Sequence, residues 1–314
     1  MKTRAIIDIG TNSIKFCVAN CNNDGTITPI IDQFHTTRIG QNFYQTGRIS
    51  SEAIQRNIKK INELKEQADQ YGASEIIAIG TMIFRNAENT GDFQKQVKSS
   101  CGIDIHVLSG DDEARLSYQA ALSSFRQMRG HIAVFDTGGG STEITFGNDQ
   151  NIYHKVSLNI GAVTGTEKFF PDDPIVPSQT DQFNQFVDKH LESLSLKSPI
   201  DSLIGSSGIV TTMAAIQFRM ATYDPNIVHG TVLTQADIRE QINQYSQQTI
   251  AQKKEITGMQ KGRADIILAG ACIVDRIMSR LQCNQLVVCD RGMRYALIEN
   301  NALFTTEKSV IDHF

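Results

Sequence analysis

Tryptophan is absent from the 314-residue chain, and proline occurs only six times. So little proline excludes a collagen-like or proline-rich linker protein. Long hydrophobic runs are missing too. The longest, from Ile266 to Val274, falls far short of the ~20 residues that cross a bilayer, so no membrane partner is expected. The first apolar stretch, Ala5-Ile6-Ile7, breaks at Asp8 and is too short for a secretory signal. Charge of one sign is not in excess: 30 Lys and Arg face 34 Asp and Glu, a net charge of −4. That excludes a broad basic surface, and with it a nucleic-acid partner. The six cysteines form no CxxC pair, and the seven histidines show no zinc spacing. The thiols are read as reduced, which places the protein in the cytoplasm. Neither GxxxxGK[ST] nor a convincing GxGxxG occurs, so a P-loop is excluded and a nicotinamide enzyme has no support.

What is present is a full core. Apolar residues make up 40% and charged residues 20%, and the length suits two α/β domains. Residues 5–20, AIIDIGTNSIKFCVAN, read as a hairpin: an apolar run, a Gly/Thr/Asn/Ser turn, then a second run. Residues 133–148, AVFDTGGGSTEITFGN, repeat that pattern at a constant offset of 128 residues. Asp8 meets Asp136, Gly10 meets Gly138 and Ser13 meets Ser141. A period this long is not a solenoid; it points to two copies of one domain facing each other across a cleft. Between the copies, Ser50 and Ser51 open a helix with Ile54, Ile58, Ile61, Leu64 and Ala68 on one face, and Gly72 ends it. Short strands follow at 74–80 and 106–108, then a helical run at 114–125. In the second half, 203–208 and 286–289 read as strand ends before helices, and 170–177, with three prolines, reads as a loop.

The two glycine turns carry the chemistry. Glycine lets a backbone approach an oxyanion closely and point N–H groups at it, and the hydroxyls of Ser13, Ser141 and Thr142 add donors. Asp8 and Asp136, just before each turn, repel phosphate but can hold a divalent metal, Mg2+ or Mn2+ alike. Gly205-Ser206-Ser207-Gly208, between a strand and a helix, offers free helix N-terminal amides to an anion. Asp111-Asp112-Glu113 at a helix start reads as a capping box from Ser109 or as a base in Glu113 that orients a water. Arg85, Arg291 and Arg294 can each grip a phosphate, or else face solvent or join a surface ion pair.

In order along the chain, AIIDIGTNS, GRISSEAIQR, GTMIFRNAEN, LSGDDEARLSY, FDTGGGSTEI, SLNIGAV, IGSSGIVTTMAAI, HGTVLT, GRADIILAGA and DRGMRYAL resemble the exopolyphosphatase / guanosine pentaphosphate phosphohydrolase (Ppx/GppA) family. The resemblance implies two ribonuclease-H-like domains of the actin-like, sugar-kinase-like superfamily, in the short two-domain form. The expected domains are 1–124 with about 299–314, and 125–298. It implies Glu113 as the base, with Arg85 beside the phosphate, and Thr11, Asn12 and Ser13 as first-turn phosphate ligands. Gly138, Gly139, Gly140 and Ser141 would bind phosphate, as would Ser207 and Gly208 of the second-domain loop. Asp136 and Glu143 would join Asp8 at the metal, Mg2+ in the family, and a homodimer is the implied assembly. The reaction implied is removal of the terminal phosphate of inorganic polyphosphate, or of guanosine pentaphosphate. Where many members have Arg-Leu-Thr-Glu, this chain has Thr164-Gly165-Thr166-Glu167, which weakens the case for a long polyanion. A small-molecule kinase on the same fold, a non-hydrolytic alarmone sensor and an actin-like filament are the competing readings.

Overall fold

In the computed structural model, residues 2–22, 27–194 and 198–299 are described. The described chain divides into two compact units, one holding residues up to 116 together with 293–299, the other 117–292.

The first unit is built on a five-stranded sheet: β1 (Lys2–Ile9), β2 (Ser13–Cys21), β3 (Ile27–Thr36), β4 (Glu75–Gly80) and β5 (Ile105–Val107), in the order β3-β2-β1-β4-β5. β1 pairs antiparallel with β2 and parallel with β4. It is the central strand, and its run from Arg4 to Ile9 is wholly buried, which is why it reads as continuous rather than alternating. The helix Ser51–Gln70 starts as expected. Ser50 Oγ accepts from the Ala53 amide at 3.2 Å, and Ala53, Ile54, Ile61, Leu64 and Ala68 form its buried stripe. Gly72, at φ +73°, closes it. The helix Met293–Glu299 packs on β1 and β2. Its Arg294 grips Asp32 of β3 with two bonds of 2.9 Å, and the Tyr295 hydroxyl donates to the same carboxylate at 2.6 Å.

The second unit repeats the plan with β6 (Ile132–Thr137), β7 (Thr142–Gly147), β8 (Ile152–Leu158), β9 (Ser202–Gly205), β10 (Val232–Thr234) and β11 (Gln285–Val288). The order is β10-β11-β9-β6-β7-β8. Leaving out the edge strand β10, the strands in chain order occupy the same places as β1 to β5. Each unit thus has the mixed sheet of a ribonuclease-H-like domain, the fold of the actin-like superfamily. The core of this unit gathers Phe135, Phe183, Val210, Met213, Ile273 and Val274 with many neighbours, much of it from the helix Ile267–Leu281. Pro177 opens the helix Pro177–Leu191 at its first position, so only 170–176 form the loop.

The units divide at 116/117 and 292/293, ahead of the 124/125 and 298/299 read from the sequence. The helix Gly110–Ser124 buries Tyr118 and Ala121 with Ile132, Val134 and Ile204 of the second unit's sheet, so its second half belongs there. Residues 300–314, expected in the first domain, lie outside the described residues.

Candidate active site

In the first unit, residues 10–13 join β1 to β2. Gly10 N donates to Ser13 O at 3.0 Å, closing the turn. The carbonyls are held from behind: Asn12 O accepts from Thr37 N at 3.1 Å and Arg38 N at 2.8 Å, and Thr11 O accepts from Gly40 N at 2.9 Å. Among the described residues, the amides of Thr11 and Asn12 donate to no backbone carbonyl. A turn whose carbonyls are held from behind in this way leaves its amides able to meet an anion.

The second unit does the same with a different sequence. Gly138 N donates to Ser141 O at 2.9 Å. Gly138 O accepts from Ala162 N at 2.9 Å, and Gly139 O from Val163 N at 2.8 Å and Thr164 N at 3.1 Å. The amides of Gly139 and Gly140 donate to no backbone carbonyl among the described residues. Gly161 lies so close that a Cβ there would run into the backbone of Gly139 and Gly140. Thr142, expected to add a donor, instead gives its hydroxyl to Ile160 O at 2.7 Å and is fully buried. Its place on β7 points it into the sheet face, not into the turn.

Glu113 and Arg85 are brought together. Arg85 Nη1 bonds Glu113 Oε1 and Leu108 O, the latter at 2.7 Å. Glu113 is 5% exposed and sits in the first turn of the helix Gly110–Ser124. The capping box is present as well, but it belongs to Asp112. Ser109 Oγ donates to Asp112 Oδ2 at 2.6 Å and accepts from the Asp112 amide at 3.1 Å. One acid therefore caps the helix, and the neighbouring one is left to the ion pair. Arg294 is committed to Asp32 and is not a free phosphate grip.

Ser207 caps the helix Gly208–Gln217, its Oγ accepting from Val210 N at 3.1 Å. Beneath it, Arg263 donates to Gly208 O at 2.6 Å and to the Thr212 hydroxyl at 2.8 Å. Ser206 Oγ reaches Arg291 O at 3.4 Å.

Of the three carboxylates assigned to a metal, two stand together. Asp136 of β6 and Glu143 of β7 are directly paired across the strands, and Ser157 Oγ donates to Glu143 Oε1 at 2.8 Å. Like charges opposite each other on a sheet repel, and a divalent cation relieves that. Among the described residues, no group of three or more His, Cys, Asp or Glu stands ready to hold a metal. The pair suits Mg2+, which binds through one or two carboxylates and keeps several waters.

Asp8 is 2% exposed, with Lys15 Nζ at 3.8 Å. Burial raises its pKa, against the pull of Lys15 and Arg294. The folded protein therefore holds this proton more tightly than the unfolded chain. The resulting stability is full below the ordinary value of 3.8 and is lost as pH rises through the folded pKa. Above that range Asp8 is a burden on the fold. Asp8→Asn is expected to raise Tm, measured in EDTA at pH 7, and to lower activity, measured with Mg2+; an unchanged or lower Tm refutes the burden.

Sequence reasoning missed Gly161 and the residues that hold 37–40. Gly161 lies inside the SLNIGAV segment but carries no side chain to advertise its role.

A sequence profile of the Ppx/GppA phosphatase family matches residues 18–303. The chain belongs to this family. Within it, the chain is 28% identical over 301 residues to exopolyphosphatase 1 of Mycobacterium tuberculosis, covering 93% of this chain and 86% of that protein. It is 33% identical over 298 residues to the bifunctional 3-dehydroquinate synthase/phosphatase of Fusobacterium nucleatum. That match covers 91% of this chain but 45% of the relative, so the chain spans less than half of that protein's length. Among solved structures, the Aquifex aeolicus Ppx/GppA family member superposes with a TM-score of 0.81 at 31% identity, covering 96% of this chain and 98% of that one. An exopolyphosphatase-like protein superposes with a TM-score of 0.89 at 27% identity, covering 95% and 97%. Ppx/GppA members are named as phosphatases, and the fold described above is theirs. Among the described residues no helix is long and apolar enough to cross a membrane.

Proposed function

We propose that this protein is an exopolyphosphatase, hydrolysing the terminal phosphoanhydride of inorganic polyphosphate and releasing orthophosphate. The observation that carries the reading is the buried Glu113, held by Arg85 in the first turn of its helix. A carboxylate only accepts hydrogen bonds, so Glu113 can take one from a water and direct its oxygen at phosphorus. Arg85 holds that carboxylate in one orientation and adds positive charge where the transferring phosphoryl group gathers negative charge. The amides of Thr11 and Asn12 in the first unit, which donate to no backbone carbonyl among the described residues, would supply fixed donors for phosphate oxygens, and the second unit's turn offers the same through Gly139 and Gly140. Asp136 and Glu143 would hold Mg2+, which on binding neutralises phosphate charge.

Thr164, where many family members have arginine, donates its hydroxyl to Gly161 O at 3.3 Å and brings no charge to the turn. Short polyphosphates are therefore expected to be used better than long ones. The test measures orthophosphate release from polyphosphates of several lengths and from guanosine pentaphosphate, with Mg2+ and with EDTA. Release from polyphosphate that EDTA abolishes supports the reading. Preference for guanosine pentaphosphate overturns the substrate, and absence of release from all of them overturns the activity.

A further inference from the structure

The segment 37–40 that backs the first turn is itself held in an awkward shape. Arg38 has φ +50°, in the left-handed region that a residue with a side chain avoids. Such a conformation persists only where surrounding contacts impose it, and it tends to mark functional positions. Those contacts come from the helix Ser51–Gln70. Arg56 Nε donates to Thr37 O at 2.6 Å, and its Nη2 donates to Arg38 O at 3.1 Å, so one guanidinium pins the carbonyl on each side of the Arg38 Cα. The neighbouring Asn57, wholly buried, donates to Ala53 O at 2.8 Å and reaches Thr37 O at 3.5 Å. Ile39 is fully buried and anchors the segment in the core. Gly40 lies so close to Thr11 that a Cβ would strike its side chain.

We infer that Arg56 is a positioning residue for anion binding: its guanidinium fork sets the 37–40 segment, which turns the Thr11 and Asn12 carbonyls back and so presents their amides to phosphate. The inference rests on the phosphate-binding reading of that turn, and it adds a residue on a separate helix that acts through the 37–40 segment. Arg56 is exposed and lies outside the buried stripe of its helix, so removing it leaves the core intact. The planar fork is the point; a lysine ammonium cannot span two carbonyls in one plane. Glycine at position 38 adopts a left-handed φ without strain and makes the fork unnecessary.

The experiment compares wild type, Arg56→Ala, Arg56→Lys and the double variant Arg56→Ala with Arg38→Gly. Hydrogen exchange of the peptides spanning residues 9–16 and 36–42 is followed with and without tripolyphosphate, alongside kcat, KM and thermal unfolding. Arg56→Ala is expected to speed exchange of the Thr37, Arg38 and Gly40 amides, which bond the Asn12 and Thr11 carbonyls, to weaken the protection that tripolyphosphate gives residues 9–16, and to raise KM about 10- to 100-fold with little change in kcat. Arg56→Lys should recover little of this, and the double variant most of it. Unchanged exchange in Arg56→Ala overturns the inference. So does full recovery by lysine without recovery by glycine at 38, which would mean charge and not geometry matters. If wild type hydrolyses nothing, or tripolyphosphate fails to protect the turn, the phosphate reading falls, and the exchange of the ligand-free variants still decides whether Arg56 sets the turn.

Discussion

Glu113→Gln is expected to lower orthophosphate release by ~10²–10⁴-fold with KM nearly unchanged. The substitution keeps the shape and the acceptor oxygen that Arg85 uses, and Arg85 retains its bond to Leu108 O at 2.7 Å. What is lost is basicity: an amide cannot take the proton of an attacking water. Arg85→Ala removes the other half of the pair and takes that cation from a carboxylate only 5% exposed, so it should cost both activity and stability. The two variants together separate orientation from proton acceptance. Steady-state kinetics with polyphosphate decides the matter. Release by Glu113→Gln within about threefold of wild type would strip Glu113 of the role assigned by the base argument.

Gly161→Ala is expected to cost about 100-fold in kcat/KM, because sub-ångström displacement of phosphate donors is enough to spoil alignment. The added methyl would occupy space held by the Gly139 carbonyl and the Gly140 amide. Neither side yields easily. Gly139 O is tied to Val163 N and Thr164 N, so moving the turn breaks those bonds, and moving the helix Ala162–Phe169 disturbs buried Ala162 and Val163. Gly72→Ala is the control. It forces a side chain into a left-handed backbone, at φ +73°, where Gly161 is extended at φ −149°, but meets nothing within 4 Å. It should lower stability by roughly 1–2 kcal/mol and leave kcat/KM as it was. Equal effects of the two alanines on kcat/KM would show that Gly161 acts through stability alone.

The doubling of the fold was legible because it left a mark on side chains. Asp8 with Asp136, Gly10 with Gly138 and Ser13 with Ser141 sit at equivalent points of two sheets with the same strand order. The segments behind the turns were not legible. Residues 37–40 and 161–164 act through backbone amides, and any sequence has those. Thr142 misled because strand alternation, not proximity to the glycines, decides where its hydroxyl goes. An ion pair for Arg294 was among the readings of the sequence, but its partner was not legible. Its partner, Asp32, is 262 residues away, and nothing local announces the pairing. The capping box at Ser109 was readable, but only the structure separates the acid that caps from the acid that meets Arg85.

The return of the helix Met293–Glu299 to the first unit also sets an order of events during synthesis. The second unit is one continuous stretch, 117–292, and can close as soon as its last strand leaves the ribosome. The first unit, although its strands are made earlier, has to wait. Until residue 294 arrives, Asp32 has neither of the donors it binds in the finished protein, and the face of β1 and β2 that this helix covers stays open. The half synthesised first is thus the half completed last, and it is the one a chaperone would be expected to meet with apolar surface still uncovered.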